Sequence, residues 1–192
     1  MSLAHPLVLK FAWADDGATA RLRLALARAG IAAAGVRTYR ALDEPLAYAY
    51  LDAVDDAHAA TLRASLGAAL GAGARALRLR PLTVLAGAAA GTRAPWHYVV
   101  ETDVLPEADA DFNAWYDTEH LPGLAAVPGT VRAARYLNLD DGPRYHACYD
   151  LASRETFGSP PWLAVRATDW SSRVRPAFRN TRRTMFERIE SP

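Results

Sequence analysis

The stretch Asp111-Phe112-Asn113-Ala114-Trp115-Tyr116-Asp117-Thr118-Glu119-His120 is closed by Leu121-Pro122 and followed by Val127-Pro128-Gly129. It gathers an indole, a phenol, a carboxylate and an imidazole within less than two helical turns. At helical spacing Phe112, Trp115, Tyr116 and Glu119 stand at i, i+3, i+4 and i+7, and His120 stacks one turn beyond Tyr116. A helix that only packs needs Leu and Ala on that stripe, so the polar groups there mark a site. Pro122 disfavours the α conformation at Leu121. A helix over Ala108 to His120 is therefore expected to stop at His120, leaving the imidazole beside free carbonyls at the negative end of the helix dipole.

Outward from this helix the chain repeats one order of elements. Leu7 to Trp13 alternates as a strand, and a helix capped by Asp15 or Asp16 runs to Ala29, where Gly30 ends it. Strands over Val36 to Leu42 and Leu46 to Ala53 flank the turn signal Asp43-Glu44-Pro45. A helix capped by Asp55 or Asp56 carries Ala59, Leu62, Leu66 and Leu70 on one face, and Arg75 to Leu85 returns as a strand. After the small-residue stretch Ala86 to Pro95, read as a mobile tether, the order recurs. Its elements are a strand over His97 to Leu105, the helix described above, a strand over Thr130 to Leu139, the hairpin turn Asp140 to Pro143, a strand over Tyr145 to Leu151, a helical stretch broken by Pro160-Pro161, and a last strand over Asn180 to Ile189.

Each half thus reads β-α-β-β-α-β, the split ferredoxin-like unit, and the fold class is α+β. The expected division is 1–85, a first unit with a purely structural helix; 86–95, a linker; and 96–192, a second unit carrying the site. Sheets with helices on one face leave the other bare, and tandem halves are expected to hide it by packing sheet to sheet.

Composition narrows the partners. The 192 residues are 51% hydrophobic, ample for a packed core, and the net charge is +1, which argues against a nucleic-acid or membrane surface. The one basic concentration is Arg173, Arg175, Arg179, Arg182, Arg183 and Arg188; acids between Glu101 and Glu119 offset it. A solvated or internally paired face is expected, from which a few guanidinium groups can hold a carboxylate or phenolate. The single cysteine, Cys148, excludes an intramolecular disulfide and reads as a small buried side chain. No signal sequence and no run of 18 apolar residues is visible, so a cytoplasmic protein is expected.

The run Phe112-Asn113-x-Trp115-Tyr116-x-x-Glu119-His120-x-Pro122, then Val127-Pro128-Gly129, a Gly-Pro hairpin before Tyr145, and Arg175-Pro176-x-Phe178-Arg179-Asn180 resembles the EthD-like branch of the dimeric α+β barrel superfamily. The resemblance covers residues 97 to 189; the first half shares only the element order. It implies a barrel of two sheets, a pocket between a sheet and its own helices, and often no cofactor. It also implies a range of activities: monooxygenases, polyketide cyclases, decarboxylases, muconolactone-type isomerases, and haem-degrading or haem-containing enzymes.

On the residues themselves, His120 suits a general acid or base, and Tyr116 a donor to a substrate enolate or phenolate. Trp115 and Phe112 wall a pocket, and Asn113 and Asn180 are candidate substrate contacts. Glu119 points about 100° away from His120 around the helix and is expected to pair with an arginine. His97 and His146 sit on strands, where a histidine with a satisfied hydrogen bond is the default. No paired spacing for a metal exists. Gly71-Ala-Gly73-Ala-Arg-Ala76 follows a helix and precedes a strand, the reverse of a phosphate cradle. The expectation is a small enzyme with no cofactor and no metal, acting on an aromatic or polyketide-like small molecule, alone or as a homodimer. The alternatives are a non-catalytic ligand-binding or accessory protein, and a haem-binding protein with His120 as axial ligand.

Overall fold

Alternating apolar residues build the first strand, β1 (His5–Ala12), in which Leu7, Leu9 and Phe11 turn to one face and are buried. The computed structural model describes residues 4–189 of the chain. Residues 4–80, joined by 187–189, form one compact unit, and Pro81–Phe186 forms another. The fourth and last strands each run through both units.

In the first unit β1 is followed by α1 (Ala18–Arg28), β2 (Arg37–Ala41), β3 (Leu46–Val54), α2 (Asp56–Leu70) and β4 (Arg75–Ala86). The sheet order is β4-β1-β3-β2 with antiparallel neighbours, the ferredoxin-like arrangement. Leu22, Ala25 and Leu26 of α1 and Leu62 and Leu66 of α2 close over Leu9, Ala49 and Leu51 of the sheet. Asp55 caps α2 as its sequence position predicts, accepting from the Ala57 and His58 amides. At α1 the N-cap is instead Gly17, without a side-chain bond, because the Asp15 carboxylate is engaged by Arg21 at 3.1 Å.

The second unit repeats the order with β5 (Trp96–Val104), β6 (Thr130–Asn138), β7 (Tyr145–Leu151) and β8 (Phe178–Ile189), arranged β8-β5-β7-β6. Every residue of β7 is buried. Broken helical pieces, α5 (Pro160–Arg166) and α6 (Asp169–Val174), replace a single second helix; Pro160-Pro161 opens α5 and Thr168 caps α6.

Two further expectations are corrected. The stretch after β4 is not a free tether: the Gly87, Ala88 and Ala89 amides donate to Val131, Ala125 and Thr130 carbonyls at 2.8–2.9 Å. A Cβ on Gly87 would lie 2.1 Å from the Thr130 carbonyl oxygen, so the small residues serve close approach of two backbones.

The helix carrying the site also does not stop at His120. It runs as α3 (Asp109–Trp115), a π-helical turn over Tyr116–His120, and α4 (Leu121–Ala125). The Leu121 amide donates to the Tyr116 carbonyl, five residues back. A widened turn makes room where the Pro122 ring would otherwise meet the carbonyl of the preceding turn, so the helix passes the proline instead of ending before it.

Among the described residues no helix is long and apolar enough to cross a membrane. Gly129, just before β6, has φ +93°, and a Cβ there would lie 2.2 Å from the Thr156 hydroxyl. Gly129→Ala is expected to lower stability by roughly 1 to 3 kcal/mol from backbone conformation alone, with the clash adding to it. Urea unfolding of the variant checks this, and an unchanged midpoint would show that the turn relaxes freely.

Candidate functional site

The π turn rotates the residues after Trp115 relative to an α-helical continuation and brings His120 back over the indole. The two rings stack at 4.1 Å with 22° between their planes, and Tyr116 meets the imidazole edge-on at 5.1 Å. Such contacts contribute on the order of 0.5 to 1.5 kcal/mol each beyond area burial. His120 is only 7% exposed, and its Nδ1 is buried without a hydrogen-bond partner.

These residues line a narrow cleft with Tyr98, Val100, Leu124, Tyr149, Trp162, Arg166, Phe178 and Arg183. Its volume is about 30 Å³, room for a water or two. Tyr149 Oη and Trp162 Nε1 are likewise buried and unpartnered, so three polar atoms on this one lining lack the bond that buried polar groups ordinarily have.

Burial decides the charge states. The carboxylate and dipole that would have favoured a protonated His120 are elsewhere: the helix continues past it, and Glu119 points away. Desolvation, helped by the Arg175 and Arg166 charges, lowers the His120 pKa from 6.5 to about 3, and the imidazole is neutral. Desolvation raises the Tyr116 phenol to about 12 against the pull of Arg135, so it remains a donor across the physiological range. Tyr149 is pushed up by the same cause.

Glu119, expected beside an arginine, instead accepts from the Trp115 indole at 3.1 Å and the Thr168 hydroxyl at 2.6 Å. A buried indole N–H one turn back along the helix competes successfully for that carboxylate because it has no water to turn to. Through Glu119 the helix α3 is tied to the residue that caps α6.

Behind the cleft lies a group that the sequence reading did not single out. Arg135 on β6 is 1% exposed, with its guanidinium 4.9, 4.5 and 4.7 Å from the ring centres of Phe112, Tyr116 and Tyr145. It donates to Asn113 Oδ1 at 2.6 Å, and Asp117 lies 3.6 Å away. Strand alternation sets Arg135 on the inward face with Ala133 and Leu137, and an arginine at an inward position was the available signal.

The site residues chosen from sequence do not all converge. Trp115, Tyr116 and His120 share the cleft. Phe112 packs behind it against Tyr116 at 5.0 Å, and Asn113 bridges Asp109, Tyr145 and Arg135. Asn180 is exposed, has φ 50°, and binds Asp103 at 2.8 Å, away from the cleft lining. His97 has its Nδ1 2.6 Å from Asp150, the satisfied strand histidine, and His146 faces Glu101 at 3.5 Å. Tyr98, Tyr149, Trp162 and Arg166 line the cleft and went unread, since each lies on an element far along the chain from His120.

The larger concavity, about 400 Å³, is in the first unit, between residues 30–36 and the end of β3. Its polar groups are already paired, Asp52 with Arg37 at 2.7 Å and Asp55 with His58 at 2.7 Å.

No protein-family model matches the chain, and no curated protein matches it. Solved structures do. An anthrone oxidase-like protein superposes with a TM-score of 0.66 at 13% identity, over 99% of this chain and 94% of that one. A monooxygenase-like protein from Listeria innocua gives 0.57 at 11% identity, over 98% and 96%. A heme-degrading enzyme from Listeria monocytogenes gives 0.51 at 10% identity, over 95% and 98%. The likeness is one of fold: α+β, ferredoxin-like.

The His120 shift carries a pH dependence. An unfolded chain protonates this imidazole near pH 6.5, whereas the folded one holds it neutral to about 3. Its contribution to stability is therefore complete above 6.5 and is lost as pH falls toward 3. Urea midpoints at pH 7 and pH 4 are expected to differ more in the wild type than in His120→Gln. Equal differences would show that His120 titrates normally.

Proposed function

We propose that the protein is a small cofactor-independent enzyme of the monooxygenase, cyclase, decarboxylase or isomerase kind, acting on an aromatic or polyketide-like small molecule through proton transfer at His120. The observation that carries this reading is the neutral, buried His120 with an unpartnered Nδ1, set beside the permanently protonated Tyr116 on one aromatic-lined cleft. A base and a donor on the same lining suit removal of a proton from an activated carbon or phenol. His120 accepts the proton, and Tyr116 donates to the oxygen on which charge develops. Trp115 holds the imidazole by stacking, and Phe112 and Arg135 support the phenol from behind. Asn113 acts through Arg135 rather than on a ligand. The run from Phe112 to Pro122 is the reason for placing the second unit with the EthD-like branch.

A pKa near 3 makes His120 a weak base in the free protein. Burial causes most of that depression and arginine charge the remainder, so an anionic ligand that offsets the arginines raises the basicity of His120 in part. The haem-binding alternative fits less well. The free volume beside the imidazole, about 30 Å³, is far too small for a macrocycle. A single ring needs less: the seven-residue α5, which carries Trp162 and Arg166, must shift outward.

Anthrone, with oxygen uptake and the absorbance of the oxidised product followed together, is a direct probe. His120→Gln is expected to lose on the order of 10² to 10⁴ in turnover with the thermal midpoint tracked alongside, and Tyr116→Phe is expected to lose less. Unchanged turnover in His120→Gln would remove it from catalysis. A ligand that binds tightly and is never converted by the wild type would move the weight to a non-catalytic binding protein.

A further inference from the structure

Two guanidinium groups line this cleft, and a third stands close to them. Arg166 closes α5, Arg183 stands on β8, and both line the cleft. Arg175, in the turn before β8, donates to the Arg166 carbonyl, and burial with the charges of Arg166 and Arg183 holds its pKa below the ordinary value. Several other cations of the second unit are matched by acids: Arg173 by Asp111, Arg144 by Asp109, Arg132 by Asp150. Arg166, Arg175 and Arg183 have no carboxylate partner among the described residues, and Glu119, the acid beside the cleft, is committed to Trp115 and Thr168.

Like charges held together cost stability unless water or an anion screens them, and a planar guanidinium fork is shaped for carboxylate and phenolate oxygens. Deeper in the same lining the walls are aromatic, from Tyr98, Trp115, Trp162 and Phe178, and the buried Trp162 Nε1, Tyr149 Oη and His120 Nδ1 have no partner. The indole can only donate, so one group at the inner end must be an acceptor.

We propose that the cleft takes an aromatic anion, with the charged oxygen between Arg166 and Arg183 at the entrance and a second oxygen on the ring facing Trp162, Tyr149 and His120. This deepens the reading of the site given above and rests on it for the location, but not for proton transfer. An aromatic hydroxy acid is the ligand class. Arg183, exposed, meets the ligand first, and Arg166 travels with α5 as the ring enters. Arg175 stays behind Arg166 and fixes the end of α5 through its carbonyl.

Salicylate and its uncharged counterpart salicylamide separate charge from shape, and quenching of tryptophan emission reports both. The wild type is expected to bind salicylate at least about tenfold more tightly than salicylamide, with the preference shrinking as salt rises. Arg166→Gln and Arg183→Gln are each expected to cut that ratio severalfold, and the double variant to abolish it while salicylamide binding is retained. Arg188→Gln, an exposed arginine farther along β8, should leave the ratio unchanged. Equal binding of the two probes by the wild type, no binding of either up to its solubility limit, or a ratio untouched in the double variant would each overturn the proposal. Because the readout is a binding ratio, it can hold while turnover proves independent of His120, and it can fail while turnover requires His120.

Discussion

Pro122 sits inside a continuous helix, and much of the site follows from how the chain accommodates it. A proline there has no amide to give and a ring that intrudes on the turn before it. The chain answers by widening one turn, from Tyr116 to His120, and then resuming. That extra residue in the turn sets the imidazole over the Trp115 indole. Had the helix ended before Pro122, His120 would have faced solvent and free carbonyls with a raised pKa. The widened turn gives it a dry, neutral environment instead.

Arg135 is the second constraint. A buried guanidinium is costly unless its charge is spread over partners, and here three aromatic faces, an amide oxygen and a nearby carboxylate share it. The register places Arg135 directly beside Ala147, which in turn lies beside Val100, and the small neighbour leaves the row open for the rings descending from α3. Tyr116 is thus bounded below by a cation and beside by His120, and its phenol keeps its proton because burial outweighs the arginine's pull.

Most of the fold was legible in the sequence, because alternation and capping are local. Leu7, Leu9 and Phe11 announce β1, Asp55 announces α2, and Pro160-Pro161 announces the broken second helix. What failed to show depends on competition between distant groups. Arg21 takes Asp15 from the role of helix cap, and Thr168 with Trp115 takes Glu119 from any arginine. The bonds from Gly87, Ala88 and Ala89 to residues around Ala125 and Val131 are invisible until the chain has folded back. For the site, His120, Tyr116 and Trp115 were readable as one turn of helix. Tyr98, Tyr149, Trp162, Arg166 and Arg183 come from four other elements, and no spacing rule connects them. Asn180 was drawn in by its motif, but its left-handed backbone near the start of β8 and its bond to Asp103 engage it within the strand framework.

Glu119 carries a consequence for timing. Its carboxylate holds the Trp115 indole on one side and the Thr168 hydroxyl on the other, and Thr168 lies between α5 and α6. If the ligand proposed above enters by displacing α5, the movement is passed to Thr168, two residues beyond its end, and strains that contact. Charge-assisted bonds of this kind are worth roughly 1.5 to 3 kcal/mol, so the open form is a minor population, about a tenth to a hundredth of the molecules if this bond alone held it shut. Arrival of a ligand is then governed by how often the latch lifts, and at high ligand concentration the observed association rate levels off at the opening rate instead of rising without limit.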